Sequence, residues 1–232
     1  MEGGFHRVRL SYWRYSIMAF SSEKLRAASS GEAGVTGFIG FDEMAEVTLP
    51  SSFTVASASA ENGDLLIAAG LQDNTGYLIS TPSEFTSRLN DTGTRFFAFT
   101  DDAYSEGFST VSISAGATDT CSAGLVAFRG YVFDDIGDLS NLGTTVQPGS
   151  ITLTSNDSIV VCIAGHFGGA SASQFSRPAG YTPIFRTSQL VNSPDPYVCI
   201  SYLTGVSSGS YTSGTVSLSA TGKAFLIGLR PV

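Results

Sequence analysis

Residues 62–70 read Asn-Gly-Asp-Leu-Leu-Ile-Ala-Ala-Gly, a polar turn followed by an apolar run. A short apolar run bounded by turn residues favours a central strand that is covered on both faces. A second turn, Asn156-Asp157, precedes a similar run in residues 158–165. The two stretches therefore predict two buried strands and indicate a unit that occurs twice.

The likeness extends through both halves of the chain. Each half has, in order, a strand after a proline, an Asn turn, a buried strand, a Pro-x-x-x-Thr segment, an aromatic strand, a Ser/Thr strand and a strand ending in arginine. The spacing changes only where loops are expected. The alternative, that half-buried strands simply resemble one another, stays open. The matched segments are residues 50–55 with 148–153, 62–70 with 156–165, 82–86 with 178–182, 96–99 with 197–200 and 126–129 with 227–230.

Strand patterns dominate the chain after residue 47. Continuous apolar runs are joined by segments in which hydroxyl and apolar residues alternate, as in half-buried strands. The sequence therefore predicts an all-β fold: an antiparallel, jelly-roll-like β-sandwich of about ten strands, built from an internal duplication. Because five strands alone make a marginal sandwich, the repeats, at about 50–130 and 148–231, are expected to form one domain over residues 47–232.

The composition excludes several classes of protein. Only 14% of the residues are charged, against roughly 25% in an average soluble domain. This profile argues against disorder, coiled coils and helical bundles. No apolar run approaches the roughly 18 residues of a membrane span, so no membrane insertion is expected.

The net charge of −8 is unevenly distributed. Residues 1–17 hold Arg7, Arg9 and Arg14 against Glu2, a net charge of +2 that leaves −10 on the remainder. An acidic body repels phosphates, so nucleic acid is not an expected partner.

Residues 1–46 are predicted to be a docking segment, made of an arm, a short helix beginning near Ser22 and a Gly-rich linker at residues 31–40. In one interpretation the arm straps onto a neighbouring subunit, since aromatic and Arg side chains are favoured at interfaces. In the other, Met18 is the true start and residues 1–17 are an upstream extension. The candidate docking residues are Arg7, Arg9, Tyr12, Trp13, Arg14, Tyr15, Phe20 and Leu25.

The three cysteines are odd in number, and Cys162 and Cys199 lie within apolar runs. They are interpreted, with Cys121, as small core residues of a protein that assembles in a reducing cytoplasm without disulfides. A bridge between Cys162 and Cys199 on facing strands is the alternative.

Catalytic and metal-binding patterns are sparse, so the sequence predicts neither an enzyme nor a cofactor. His166, between a buried strand and a Gly-rich loop, is interpreted as a loop or strand-end residue rather than a general base. Asp134, Asp135 and Asp138 could bind calcium through carboxylate oxygens, or could belong to a solvated linker between the halves.

Four tyrosines in predicted loops are candidates for facing a glycan, since aromatic rings bind sugars. The alternative is that they pack over strand ends. They are Tyr77, Tyr104, Tyr181 and Tyr211.

These motifs carry a resemblance. The turn and apolar run of residues 62–70, the Pro-x-x-x-Thr segments, the aromatic strands and the C-terminal residues 224–231 resemble a β-sandwich of tailed-bacteriophage virion proteins, namely tail-fibre, minor tail and capsid-decoration proteins. Residues 18–31 are similar to the short N-terminal leaders of appendage proteins from marine phages. The segment before Met18 departs from that pattern.

The resemblance implies a non-enzymatic structural protein that docks through its N-terminal segment on other virion proteins, either capsid or tail subunits, and displays the sandwich outwards. It implies assembly in the host cytoplasm, a place in the virion and a homo-oligomer, with a trimer as the expected form. The alternative is a carbohydrate-binding, receptor-recognition module at a tail-fibre tip, with a host surface glycan as partner. A glycan depolymerase is a third, enzymatic alternative.

Overall fold

A computed structural model describes residues 37–73, 76–90, 93, 95–105, 107–167, 175–187 and 196–232. The predicted arm, helix and candidate docking residues all lie outside the described residues. Apart from one 3-10 helix, Val55–Ala58, the regular structure in the described ranges is β-strand. No helix there is long and apolar enough to cross a membrane.

The first half, residues 37–129, forms two sheets. A large five-stranded sheet has the order β1-β8-β3-β6-β5, and a small sheet has the order β2-β7-β4. The strands are β1 Gly37–Thr48, β2 Ser51–Thr54, β3 Leu65–Gln72, β4 Ile79–Ser80, β5 Thr86–Asn90, β6 Phe96–Asp101, β7 Thr110–Ala115 and β8 Thr120–Arg129.

The second half, residues 131–231, also forms two sheets. Its large sheet has the order β10-β16-β12-β14-β13, with β9 also paired to β16, and its small sheet is β11-β15. The strands are β9 Tyr131–Ile136, β10 Gly143–Val146, β11 Ile151–Leu153, β12 Ser158–Phe167, β13 Thr182–Arg186, β14 Pro196–Val206, β15 Gly209–Tyr211 and β16 Val216–Pro231.

The two large sheets share one strand order. The correspondence follows the strand order of each sheet: β16 corresponds to β8, β12 to β3, β14 to β6 and β13 to β5. In the place of β1, the second half has β9 and β10. Every pairing is antiparallel, so the all-β antiparallel prediction is confirmed, with sixteen strands in the described ranges rather than about ten. The jelly-roll connection and the duplication stay predictions.

The four sheets are stacked in layers around three apolar cores. A central core lies between the two large sheets, and an outer core lies between each large sheet and its small sheet. On β3, Leu65 and Ile67 face the central core while Leu66 and Ala68 face an outer core. This explains the continuous apolar runs, because both faces of these strands are buried. Each large apolar side chain buried here contributes roughly 1.5–3 kcal/mol.

Ring contacts across the central core show how the halves are arranged. Strand β1 lies against β13, with the Phe41 and Phe185 rings stacked at 5.4 Å between centroids. Strand β5 lies against β9, with the Arg88 guanidinium 3.8 Å from the centre of the Phe133 ring. The two contacts are equivalent, because β13 corresponds to β5 and β9 takes part of the place of β1. The two halves are therefore related by an approximate two-fold axis that runs along the strands.

The molecule has two distinct ends. At the base, Gly37 pairs with Arg129, and the Val232 N–H donates to the Gly130 carbonyl at 3.1 Å. At the opposite end, the tip, β3 ends at Gln72 and β12 ends at Phe167. The described chain therefore begins and ends at the base.

Two predicted segments are corrected. The boundary at residue 47 falls inside β1, and residues 37–40 of the predicted linker are strand. Gly40 is needed for close packing, because a Cβ there would lie 2.6 Å from the Ala58 carbonyl oxygen. Likewise Asp134 and Asp135, predicted as part of a solvated connection, belong to strand β9.

Candidate functional site

The four candidate tyrosines do not form one surface. Tyr104 is 6% exposed and Tyr181 is 4% exposed, so the prediction that they face a glycan is wrong. Their rings belong to the two outer cores, where the Tyr104 hydroxyl donates to the Phe108 carbonyl and the Tyr181 hydroxyl donates to the Tyr211 hydroxyl. Tyr77 is 39% exposed and Tyr211 is half-buried.

Two of the three candidate calcium ligands, Asp134 and Asp135, connect the large and small sheets of the second half by hydrogen bonds. Asp134 accepts hydrogen bonds from the Thr154 N–H and hydroxyl, both at 2.7 Å, and Asp135 accepts one from the Thr152 N–H at 2.6 Å. Within the described ranges, no group of three or more His, Cys, Asp or Glu side chains could hold a metal ion.

The thiols are free in the structure, and Cys121 and Cys162 are buried core residues, as predicted. Burial raises the pKa of both thiols. Cys162 pairs with Ser201 and Cys199 pairs with Ala164, so Cys162 and Cys199 lie on neighbouring strands of one sheet and not on facing strands.

His166 is the second-to-last residue of strand β12, near the strand end as predicted, and is fully buried. Its ring stacks on that of Phe175 and contacts that of Tyr197, each at 4.9 Å between centroids. Its Nε2 is 2.7 Å from the Ser219 hydroxyl oxygen. His166 therefore serves as a buried support for Phe175.

A pocket of about 340 Å³ opens beside this support, close to the tip. We call it the arginine pocket, since two guanidinium groups line it. Its lining residues are Phe175, Arg177, Pro183, Phe185, Arg186 and Cys199.

Strand pairing holds one side of the arginine pocket. Arg186 at the end of β13 pairs with Cys199 on β14, which puts both side chains on the same face of the sheet. The next residue, Thr187, extends the pairing through its N–H to the Val198 carbonyl at 2.9 Å, and its hydroxyl accepts the Val198 N–H at 3.0 Å.

A hydrogen-bonded loop holds the other side. The Arg177 Nε donates to the Tyr181 carbonyl at 2.6 Å, which anchors the guanidinium by one of its nitrogens. The preceding residue, Ser176, bridges to Ser217, and the Tyr181 N–H closes a turn onto the Pro178 carbonyl at 3.3 Å.

The electrostatics of the pocket are seen at Cys199. Burial raises the pKa of this thiol to about 11, while Arg186 and Arg177 act in the opposite direction. Both guanidinium charges therefore favour the thiolate form of Cys199. Among the described residues that line the pocket, none carries a carboxylate.

The first half has different side chains at two positions equivalent to lining residues of the pocket. By sheet register Asn90 and Phe97 correspond to Arg186 and Cys199, with a bulge at the same place on β5 and β13. The Asn90 side chain bonds both the N–H and the carbonyl of Ile79, and Phe97 is fully buried against Phe99. The equivalent positions of the first half thus hold a hydrogen-bonded amide and a buried phenyl ring.

The arginine pocket was not among the sites predicted from the sequence. A signal was available within the repeat, because Thr81 and Arg177 each precede the proline of a Pro-x-x-x-Thr segment, and Arg186 follows the second segment by four residues. Basic residues thus stand at two positions of the second half where the first half has Thr81 and Asn90.

No protein-family model, curated protein or solved structure matches this chain.

Proposed function

We propose that this protein is a non-enzymatic structural component of a tailed-phage particle. It docks on capsid or tail subunits through its N-terminal segment and displays the β-strands of residues 37–232, called the β-body, outwards. The observation that carries the proposal is the position of Gly37 at the base, opposite the tip. A segment that precedes Gly37 can hold the base to a surface while the tip points away from it.

The charges and the packing support this proposal. Residues 1–36 carry a net charge of +2, whereas residues 37–232 carry −10. The β-body is built around three apolar cores, which favours a rigid domain. A rigid acidic body joined to a basic, aromatic arm is suited to attachment by the arm alone.

The test compares three forms of the protein in assembled particles: the full chain, a chain without residues 1–36, and the full chain with Trp13→Ala and Arg14→Ala. Immunoblots of purified particles measure incorporation, and thermal unfolding measures folding. We expect the deletion to keep the unfolding temperature and to be absent from particles, and the double variant to be depleted. Equal incorporation of the deletion and the full chain would overturn the proposal.

A chain without residues 1–17 separates the two interpretations of the arm. If those residues dock, this chain is lost from particles like the longer deletion. If docking begins at Met18, it incorporates normally.

The second candidate function is recognition of a host surface glycan, and the arginine pocket near the tip favours it. Binding of the full chain to host cells tests this function. A particle component without a receptor role would bind particles and leave the cells unlabelled.

A further inference from the structure

We infer that residues 7–12 of the N-terminal arm add as a strand to the free edge of β1 in their own chain. The acceptor is the centre of β1, residues 40–44. The inference goes beyond the proposed function, because it gives part of the arm a place on the β-body itself.

Strand β1 is a long edge strand. Within the described residues it has twelve residues and pairs with β8 alone. The other edge strands of the two large sheets are shorter, with five residues in β5 and in β13, six in β9 and four in β10. A long edge presents a row of backbone N–H and C=O groups to an added strand, whereas short edges offer few.

The centre of β1 is also regular. Register shifts lie between Phe38 and Gly40 and between Met44 and Val47, and residues 40–44 between them pair with β8 without a break. Strands β5 and β13 each have a register shift in the middle of their five residues. Of these three edges, β1 therefore has the longest unbroken stretch for a new strand.

Side chains at this edge are incompletely covered. Phe41 packs against the central core and Ile39 against the outer core of the first half, and both are only half-buried. A strand added beside β1 would lie roughly 4.8 Å away. It would extend the sheet by one strand and cover these side chains from the side.

The charges of β1 favour a basic occupant. Asp42 and Glu43 are adjacent in the regular stretch, and residues 37–48 contain no Lys, Arg or His. Partial burial and the charge of Asp42 both raise the pKa of Glu43. The β1 strand of a second copy would bring the same acids to this edge, and like charges on paired strands are destabilising.

The arm contains a segment with the matching pattern. Residues 7–12 read Arg-Val-Arg-Leu-Ser-Tyr, in which polar and apolar residues alternate. As a strand, this segment would have its apolar residues on one face and its two arginines on the other. The apolar face would extend a core, and the arginines would lie beside the carboxylates of β1.

The connection to the β-body favours the edge of the same chain. Residues 13–36 link the segment to Gly37 and could span roughly 75 Å if extended. An antiparallel strand on β1 would end towards the base, where Gly37 lies, so the link is long enough. A segment tethered in this way meets its own edge at an effective concentration on the order of millimolar.

The test measures amide hydrogen exchange of residues 40–44 by NMR in the isolated protein. The full chain is compared with a chain without residues 1–17 and with the double variant Arg7→Glu, Arg9→Glu. The matched control is Arg14→Glu, Arg26→Glu, which has the same net charge and is changed outside the segment. Thermal unfolding checks that the β-body stays folded in each chain.

We expect the amides of residues 40–44 that point away from β8 to exchange roughly tenfold or more faster without residues 1–17, because they lose their acceptors. The Arg7→Glu, Arg9→Glu variant should show a similar increase. The matched control should exchange like the full chain.

Equal exchange in the full chain and in the chain without residues 1–17 would overturn the inference. A control that exchanges as fast as the Arg7→Glu, Arg9→Glu variant would also overturn it, since net charge alone would then explain the effect. Because exchange is measured on the isolated protein, this result is independent of particle incorporation, which tests the docking proposal.

Cross-linking with a bis-maleimide identifies the chain that supplies the strand. A chain with both Ser11→Cys and Glu43→Cys should be cross-linked within itself. Covalent dimers formed between a Ser11→Cys copy and a Glu43→Cys copy would overturn the assignment to the same chain.

Discussion

The two large sheets have the same strand order but different residues at two equivalent positions. The first half has Asn90 and Phe97 there, and the second half has Arg186 and Cys199. In the first half, the Asn90 amide locks strand β4 onto the sheet edge, and the phenyl ring of Phe97 fills the outer core. In the second half, the smaller Cys199 leaves a pocket, and two arginines line it. The backbone of this unit is therefore compatible with an amide and a buried ring at these positions, and with an arginine and a cysteine that line a pocket.

The largest expected effect comes from exchanging the side chains of Phe97 and Cys199 between the halves. Phe97→Cys should open a cavity in the first half and lower the free energy of unfolding by about 3 kcal/mol, because a fully buried ring is lost. Cys199→Phe should change it by less than about 1 kcal/mol, since the new ring enters an existing pocket. Urea unfolding of both variants measures the difference. Equal losses would show that the pocket space is not available to a side chain.

A second comparison concerns the arginines that end the two halves. Arg129 makes two bonds of 3.0 Å to Asp64, a carboxylate that is 2% exposed. Arg129→Met should cost about 3 kcal/mol because it leaves a buried charge without its partner. Arg230 is exposed, so Arg230→Met should cost less than about 0.5 kcal/mol. Chemical unfolding at neutral pH checks both values.

In this second comparison, a double variant that adds Asp64→Asn to Arg129→Met is the control. It should recover part of the loss, since the buried charge is removed. No recovery would mean that Arg129 stabilises the base by its packing and its ion pair with Glu61 rather than by its bonds to Asp64.

The smallest expected effect tests what the halves share. Asp42 accepts the Thr54 N–H at 2.7 Å, and Asp135 accepts the N–H of the matched Thr152 at 2.6 Å. Asp42→Ala and Asp135→Ala should each cost about 1 kcal/mol, because each removes an exposed, charge-assisted hydrogen bond. Thermal unfolding at matched ionic strength compares them. A large effect in only one half would contradict a shared role.

Local sequence predicted much of the fold. The segments Pro82–Thr86 and Pro178–Thr182 were matched by pattern, and each forms a turn closed onto its proline carbonyl. The apolar runs after the Asn turns became β3 and β12, each covered on both faces. Such signals are local because the alternation of side chains is a property of the strand backbone itself.

The predicted alignment of the two aromatic strands is wrong by one residue. The sequence pattern aligns Phe96 with Tyr197. The sheet registers align Phe96 with Val198 instead, and these two side chains both face the central core. A slip of one residue moves a side chain to the opposite face of the sheet. Pattern matching could not find this, because both alignments place apolar residues on apolar residues.

The sequence by itself determined the class of structure: turns, buried runs and half-buried runs in the same order twice, with few charges and many glycines. Tertiary structure alone decided where the chain enters the body, which strands are neighbours and which residues meet. Arg177 and Arg186 reach Cys199 only through the pairing of β13 with β14 and the bridge from Ser176 to Ser217. The physical reason is that strand character is set by adjacent residues, whereas a binding site is set by register between segments far apart in the chain.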